Sequence, residues 1–534
     1  MKGPSLTSAL GAAIVVAITI LGTPAAPIAA AADGSSSIPS SDAAIVHVLN
    51  RIGYGPRPGD VARVRRIGLA RYIDEQLHPD RIPDPGAEAR LAGLRTLGLS
   101  TRQLATDYLL PAIAARRRRA AQGANAPDST GTPGTDSSID GRGPAGRRQR
   151  MAGEGAPNPN LPIVELSEQK LIRAVYSERQ LQEVLTDFWF NHFNVDARKG
   201  PDRIMLTAYE RDVIRPHVLG RFRDLLEATA KSPAMLFYLD NWMSVAPDAD
   251  AGRRRERGIN ENYGRELMEL HTLGVDGGYT QKDVIEVARC FTGWTIAGPR
   301  MGGGFIFRTR LHDEGEKVVL GHRIPAGGGE EDGERVLDIL AGSPATAHHI
   351  AFELAQRFVS DTPPPALVDR AAARYLQTGG DLREVVRTII TSPEFFAAAD
   401  DGVKAKTPFE FVASALRATG ADIENARPLV GVLRQMGMPL YMRQPPTGYA
   451  DTADAWTTSG ALLARMNFAV ALAANRVPGV THPWPEADTE DRAALMAAVL
   501  PGGVTAATQA AIDRAPGPVQ ALALAIGSPD FQAR

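Results

Sequence analysis

The chain has 534 residues, of which 44% are hydrophobic and 22% are charged, and its formal net charge at pH 7 is -2. This composition is typical of globular proteins, and a charge so close to zero favours neither nucleic acid nor an anionic membrane surface as the partner. The single cysteine, Cys290, excludes an internal disulfide, and a buried, inert thiol is the ordinary state of such a residue.

Residues 1–32 are predicted to form a secretory signal peptide. Lys2 precedes an apolar run from Ala9 to Leu21, and small residues follow at Ala29–Ala32. A positive start, a short apolar core and an Ala-x-Ala exit are typical of such peptides. The apolar run is shorter than the roughly 20 residues that span a bilayer. We therefore expect a mature protein that begins near Asp33, is periplasmic or secreted, and has no membrane-spanning segment.

The rest of the chain is predicted to be mainly α, a multi-helical globular array with one small β-hairpin excursion. Residues 120–162 are rich in Gly, Pro, Ser and Asn, and such a composition buries too little apolar surface to offset the entropy of ordering. Between Arg116 and Arg150 there are eight Arg and three Asp, so this region is locally basic. We predict that the segment at 120–162 is disordered and dispensable for folding. The predicted parts are a linker at 33–41, an N-terminal helical part at 42–119, this insertion at 120–162, a central helical core at 163–400 and a C-terminal helical part at 401–534.

One β-hairpin is predicted near residues 305–320. Phe305–Leu311 and Lys317–Leu320 are the two strand-like runs, and HDEG lies between them as a turn. The hairpin would carry His312 and Asp313 at its tip. A histidine beside a carboxylate can bind a metal ion, but exposed loop tips also collect such residues, so both interpretations stay open.

The stretch from 260 to 296, NENYGRELMELHTLGVDGGYTQKDVIEVARCFTGWTI, predicts a helix, a tight turn and a second helix. Gly274 would end the first helix. Thr280 would cap the second, with Asp283 at the third helical position in place of the Glu of a capping box.

The first of these helices carries an unusual set of polar residues. Arg265, Glu266 and Glu269 lie at helical spacing, and His271 follows near the apolar side. Exposed Glu–Arg pairs on a helix are common and weakly stabilising, which is the simpler interpretation. The alternative is that Glu266, Glu269 and His271 form a cluster with His192 or Arg265, and that these four helix residues are the catalytic centre if the protein is an enzyme.

A second polar group is embedded among aromatic residues in DFWFNHFNV. Burying a polar group without a partner costs about 1–3 kcal/mol, so these side chains should be hydrogen-bonded or should hold a ligand. The alternative is that His192 pins neighbouring helices. The residues predicted to bind a ligand are Asp187, Asn191, His192, Trp294, Tyr449 and Trp456.

These motifs resemble those of a large bacterial family known as domain of unknown function 1800. The resemblance extends over nearly all of the mature chain, through HVLNRIGYGPRPGDVARV, FWFNHFNV, SPAMLFYLDN, LHDEGEKVVLG, ELAQRFVSD and QPPTGYADTADAWTTSGALLARMNF. The family name carries no activity. Its members are often encoded beside an exported family similar to alkaline-phosphatase-type sulfatases, which implies a partner of that kind.

Two classes of function remain. The sequence contains no Gly-rich phosphate loop in strand-to-helix context, no Ser elbow, no HExxH and no paired-Cys zinc motif. We therefore favour a noncatalytic exported envelope protein that binds a polymer or another exported protein. The alternative is a metal-assisted hydrolase or oxidoreductase, since mixed imidazole and carboxylate ligands suit Zn, Fe or Mn. Its predicted metal ligands are His192, His271, Glu266, His312 and Asp313.

Overall fold

The structure is a computed structural model that describes residues 38–124, 158–247, 258–401, 404–484 and 497–534. The predicted signal peptide and residues 125–157 of the predicted insertion lie outside the described residues. The fold is mainly α, as the sequence predicts, with small two-stranded antiparallel sheets.

The N-terminal part is a series of short helices that begin at polar caps. Ser41 accepts a hydrogen bond from the backbone N–H of Ala44, which satisfies one free donor at the start of the first helix. Ser100 and Gln103 form a capping box at a later helix. The helices are Asp42–Arg51, Asp60–Ile67, Leu69–Gln76, Pro79–Arg81, Pro85–Leu91, Thr101–Leu104, the π-helical Ala105–Leu109, and Leu110–Ala124.

The edges of the predicted insertion need a correction. The helix that starts at Leu110 continues to Ala124, so residues 120–124 are helical rather than disordered. The chain is again described from Asn158, and a helix begins at Leu161 with Pro162 in its first turn. Alanine and arginine are good helix formers, which explains why this helix continues beyond residue 120, where the composition changes.

The central part contains the predicted helix–turn–helix. Its first helix, Glu261–Glu269, ends before Gly274, whose φ is +82°. Thr280 and Asp283 form the predicted capping box on Gln281–Cys290. The other central helices are Leu161–Tyr176, Gln180–His192, Asp202–Ala208, the π-helical Tyr209–Ile214, Arg215–His217, Phe222–Ala230, Pro233–Tyr238, Asn241–Met243, Pro299–Met301, Thr309–Leu311, Glu331–Ala341, Pro344–Phe358, Pro365–Thr378, Leu382–Ile390 and Pro393–Asp401.

The predicted hairpin near residues 305–320 has the wrong strand partners. Phe305–Phe307 pairs antiparallel with the preceding Trp294–Ile296, and Lys317–Val319 pairs with the following His322–Ile324. The two predicted strands therefore belong to different sheets. Leu320 and Gly321, both at positive φ, make the tight two-residue turn between the second pair of strands.

The C-terminal part packs against the rest of the chain in a shared core. Residues Ile38–Arg534 form one compact unit. The buried Arg417 shows the connection, since it donates to the carbonyl oxygens of Gly55 and Val175. The C-terminal elements are the helices Pro408–Ala418, Arg427–Gln435, Ala453–Ala455, Ser459–Ala473, Ala506–Asp513, Pro518–Gly527 and Pro529–Gln532, and the paired strands Asp422–Ile423 and Val480–Thr481.

Within the described ranges, no helix is both long enough and apolar enough to cross a bilayer.

Candidate functional site

A cleft of about 210 Å³ lies where the helix Gln180–His192 meets the helix Pro344–Phe358 and the loop at 438–451. Of the six predicted binding residues, four line it, namely Asp187, Asn191, His192 and Tyr449. Three carboxylates, Asp187 among them, line the cleft, and each of them is paired with a basic side chain that is mostly buried.

The first of these pairs joins Asp187 to Lys170. The two side chains form a close ion pair and are 16% and 12% exposed. The ammonium group of Lys170 also lies over aromatic rings, at 5.0 Å from the centroid of Tyr441 and 5.3 Å from that of Phe409. Aromatic faces attract cations, so the rings and the carboxylate together hold Lys170 in place.

The second pair joins Glu353 to His192. Nδ1 of His192 lies 2.6 Å from Oε2 of Glu353, and its Nε2 lies 3.2 Å from the carbonyl oxygen of His271. A carbonyl can only accept, so Nε2 donates to it, and the contact at Nδ1 holds one proton between imidazole and carboxylate. Burial raises the pKa of Glu353, but the charge and hydrogen bond of His192 outweigh it and leave that pKa below its usual 4.5.

The third carboxylate, Asp451, is linked to a buried network of charged side chains. Its Oδ1 accepts from Arg357 at 3.1 Å, and its Oδ2 lies 3.5 Å from the ammonium of Lys404. Arg357 in turn pairs with Glu410 at 2.7 Å, and Arg534 closes the network by pairing with the same glutamate.

In two of these pairs the carboxylate is more exposed than its partner. The Glu353 side chain is 30% exposed and its partner His192 is 3% exposed. Asp451 is 23% exposed, whereas Arg357 is 5% exposed. In these two pairs the carboxylate, rather than its basic partner, is therefore the group that a molecule in the cleft would meet.

Asparagines on one side of the cleft position the loop on the other side. The amide of Asn191 donates to the carbonyl of Tyr449 at 2.8 Å, and its oxygen accepts from the Tyr449 N–H at 2.7 Å. Asn194 donates to the carbonyls of Arg443 and Pro445. Trp456 supports the same loop, because its indole N–H donates to the carbonyl of Ala450. Asn191 and Trp456 thus hold the loop rather than offer free groups to a ligand.

Two further histidines lie behind Glu353. The ring of His271 is centred 6.1 Å from that of His192, and the ring of His349 is 6.3 Å from it. Burial, followed by the neighbouring imidazoles, lowers the pKa of His271 well below its usual 6.5. Burial also lowers the pKa of His349, although the charge of Glu353 opposes that shift.

These shifts predict a loss of stability in mild acid. As the pH falls below 6.5, these histidines become protonated in the unfolded chain but stay neutral in the folded chain. Each of them therefore lowers the free energy of unfolding by up to about 1.4 kcal/mol for each unit by which the pH falls. His47 contributes in the same direction, since burial lowers its pKa to about 4. We expect chemical denaturation between pH 7 and pH 5 to show a decline that is shallower in His271→Gln.

The control for this experiment is His322→Gln, because His322 is exposed. This variant should keep the wild-type pH slope. Equal slopes in the wild type and in His271→Gln would contradict the assignment of His271 as a histidine kept neutral by the fold.

The predicted catalytic residues on the first hairpin helix do not meet the cleft side chains. Arg265 donates to Gln281 at 2.8 Å, and Glu269 accepts from the hydroxyl of Tyr279 at 3.0 Å. Glu266 is half-buried, and burial followed by the charge of Glu269 raises its pKa. Glu266 reaches His271 through the backbone, where the His271 N–H donates to the Glu266 carbonyl. Of the predicted cluster, the structure brings His192 and His271 together.

His312 and Asp313 do not lie at an exposed hairpin tip, which corrects the prediction. The His312 side chain is fully buried, with Nδ1 2.8 Å from the carbonyl oxygen of Thr292 and Nε2 3.1 Å from Oδ2 of Asp332. Asp313 forms a two-point ion pair with Arg289. These contacts hold the segment in place. Its two strands do not pair with each other, because Phe305–Phe307 pairs with Trp294–Ile296 and Lys317–Val319 pairs with His322–Ile324.

Trp294 and Cys290 are core residues. The ring of Trp294 packs edge-on against Phe291 and Phe305, away from the cleft lining. Cys290 is buried, as predicted, and burial raises the pKa of its thiol to about 12. At neutral pH the thiol is therefore protonated and inert.

The five predicted metal ligands are not assembled into one site. His192 and His271 share one set of neighbours, whereas His312 and Asp313 contact Thr292, Asp332 and Arg289. In the part of the chain that the structure describes, no three His, Cys, Asp or Glu residues are grouped to hold one metal ion.

Several residues of the cleft were not predicted from the sequence. Lys170, Glu353, Arg357 and Asp451 all line it. One signal was present, since His349 and Glu353 lie four residues apart on Pro344–Phe358, a spacing that places both on one helix face. The others come from distant segments that only the fold brings together.

Comparison with known proteins adds a family but no activity. A family model described as "Protein of unknown function (DUF1800)" matches residues 47–533. No curated protein and no solved structure matches the chain.

Proposed function

The chain belongs to the DUF1800 family, whose description assigns no activity, and we propose that it is an exported binding protein whose cleft holds a neutral saccharide unit of an envelope polymer. This proposal keeps the noncatalytic class that the sequence favours and adds a ligand class to it.

The observation that carries the proposal is the way the three carboxylates are held. Asp187, Glu353 and Asp451 line the cleft, and each is already paired with Lys170, His192 or Arg357. Lys170 and Arg357 balance the charges of Asp187 and Asp451, and Glu353 is hydrogen-bonded to His192, so the cleft has no need of an ionic ligand. A carboxylate held by an ion pair retains lone pairs, so it can still accept hydrogen bonds from sugar hydroxyls.

Aromatic side chains are the second feature of the cleft that suits a sugar. Phe188 and Tyr449 line the cleft and are half-buried. Aromatic ring faces pack against the apolar side of a sugar ring. In most small-ligand sites such apolar contacts are combined with a few polar groups that fix the orientation of the ligand. A volume of about 210 Å³ suits one sugar unit better than a long oligomer.

Titration calorimetry with neutral di- to tetrasaccharides of glucose, galactose and N-acetylglucosamine tests the proposal. We expect at least one series to bind with one site per chain. Phe188→Ala should weaken binding by about 0.5–1.5 kcal/mol. Glu353→Gln should weaken it by about 1.5–3 kcal/mol, because hydrogen bonds to charged groups are the stronger ones.

The matched control is Phe352→Ala. Phe352 precedes Glu353 on the same helix, is 37% exposed and does not line the cleft. It should leave the affinity unchanged. The proposal fails if none of these saccharides binds, or if Phe188→Ala and Glu353→Gln bind as tightly as the control.

Export is the second part of the proposal. It is supported by the charged start, apolar core and Ala-x-Ala exit of residues 1–32. Expression of the full chain in a bacterial host should yield mature protein in the periplasm or medium, and N-terminal sequencing should place its start near Asp33. Exported material that retains Met1 would contradict it.

A protein partner similar to alkaline-phosphatase-type sulfatases belongs to the same proposal, on the strength of the family resemblance alone. Co-purification of the two exported proteins, with and without the saccharide, would test whether the ligand is presented to that partner.

A further inference from the structure

A second and larger recess lies apart from the cleft and shares none of its lining residues. It has a volume of about 1210 Å³ and runs between the helical segment at 101–118 and the segment at 296–303. Its walls are mainly apolar, and they include Leu109, Ala112 and Ile113 on one side and Met205, Phe237 and Ile296 on the other. We call it the apolar groove.

The shape of the groove follows from the helix that forms one wall. Residues Ala105–Leu109 adopt a π-helical turn, a feature that widens a helix locally and is frequent at functional sites. At this end the groove narrows, since a Cβ on Gly303 would lie 3.5 Å from that of Ala105. From there the helix runs roughly 16 Å to Arg116. This wall can therefore lie alongside most of the length of an extended alkyl chain.

Three arginines line the same groove. Arg116 and Arg118 are exposed, and Arg203 donates to the backbone carbonyl of Gly200 and to the side-chain oxygen of Asn160. Among the described residues, no carboxylate lies within ion-pair distance of any of the three guanidinium groups. An apolar trough with unneutralised cations beside it complements a molecule with an alkyl chain and an acidic head.

The neighbouring part of the chain offers little to fill the groove. Between residues 125 and 157 the large apolar side chains are Ile139 and Met151, and the rest is mostly Gly, Pro, Ser, Asp and Arg. Such a segment offers too few apolar side chains to replace the apolar surface of a long chain.

From these observations we infer that the apolar groove binds a long-chain fatty acid, with the alkyl chain along the helix at 101–118 and the carboxylate at Arg116, Arg118 and Arg203. The site is independent of the saccharide cleft.

Displacement of a fluorescent fatty acid from the full chain tests the inference. We expect saturable binding of one molecule per chain, competition by oleate, and at least tenfold weaker competition by methyl oleate, which lacks the charge. Reversal of all three charges, Arg116→Glu with Arg118→Glu and Arg203→Glu, should weaken the fluorescent acid at least tenfold. Ala112→Trp should abolish binding by filling the groove, and Met205→Trp serves the same purpose from the opposite wall.

Controls separate this result from general changes of charge or hydrophobicity. Arg434→Glu reverses an exposed arginine, and Leu463→Trp enlarges a side chain that is 63% exposed. Both should bind like the wild type. Uptake that never saturates, equal competition by oleate and its methyl ester, or full binding by a folded Ala112→Trp or Met205→Trp would overturn the inference. Phe188→Ala, which should weaken saccharide binding, should leave fatty-acid binding unchanged.

Discussion

Replacing Glu410 with alanine is expected to lower the free energy of unfolding by about 3–5 kcal/mol, because it leaves buried cations without their partner. Glu410 is 4% exposed and pairs with Arg357 and Arg534, which are 5% and 1% exposed. Burial raises its pKa, but the two guanidinium charges outweigh burial and leave the pKa below its usual 4.5. The contribution is therefore present above about pH 4.5 and is lost as the pH falls. Chemical denaturation at pH 7 measures the cost.

The control is Glu394→Ala. Glu394 pairs with Arg370 at the same 2.7 Å, but the side chains are 26% and 48% exposed. Water screens such a pair, so its loss should cost at most about 1 kcal/mol. Equal costs for the two substitutions would contradict the claim that burial makes the Glu410 network important. Because Arg357 also holds Asp451, the Glu410 variant should in addition weaken saccharide binding.

Replacing Gly448 with alanine is expected to displace the loop that carries Tyr449. Gly448 has φ of +67°, and a Cβ there would lie 2.4 Å from the carbonyl oxygen of Asn191. The left-handed conformation alone costs a residue with a Cβ about 1–2 kcal/mol. The contact cannot relax without breaking the two hydrogen bonds between Asn191 and Tyr449, at about 0.5–1.5 kcal/mol each. Thermal and chemical denaturation, together with the saccharide titration, measure both effects.

Gly437→Ala separates the two causes. Gly437 also has positive φ, +86°, but its Cβ would meet no atom within 4 Å. This variant should show the conformational cost and retain saccharide binding. If Gly448→Ala were no less stable than Gly437→Ala and bound saccharide normally, the loop would not depend on the Asn191 contact.

Local signals in the sequence predicted local structure well. The capping box at Thr280 and Asp283 involves residues within a few positions of each other, so it is visible in any short window. The stop predicted at Gly274 is placed too late, because the helix ends at Glu269 with Leu270 as its C-cap. The pairing of strands is not local in this sense. The sequence predicted Lys317–Leu320 as the partner of Phe305–Leu311, whereas Phe305–Phe307 pairs with Trp294–Ile296, in which Trp294 is buried in the core.

The candidate site was predicted in part for the same reason. Aromatic neighbours made Asp187, Asn191 and His192 conspicuous, and they do line the cleft. Their partners come from distant helices and loops. Glu353 is 161 residues from His192, and Tyr449 is 258 residues from Asn191. A single sequence carries no local pattern that joins positions so far apart. The prediction therefore centred on the glutamates nearest to His271, which face elsewhere.

A crystal structure of the protein with its tightest-binding neutral saccharide tests the central claim most directly. The account predicts a sugar ring in the cleft, with hydroxyls at hydrogen-bond distance from at least two of the carboxylates of Asp187, Glu353 and Asp451, and with one face of the ring against Phe188 or Tyr449. A saccharide bound elsewhere, with the cleft holding water alone, would contradict the account.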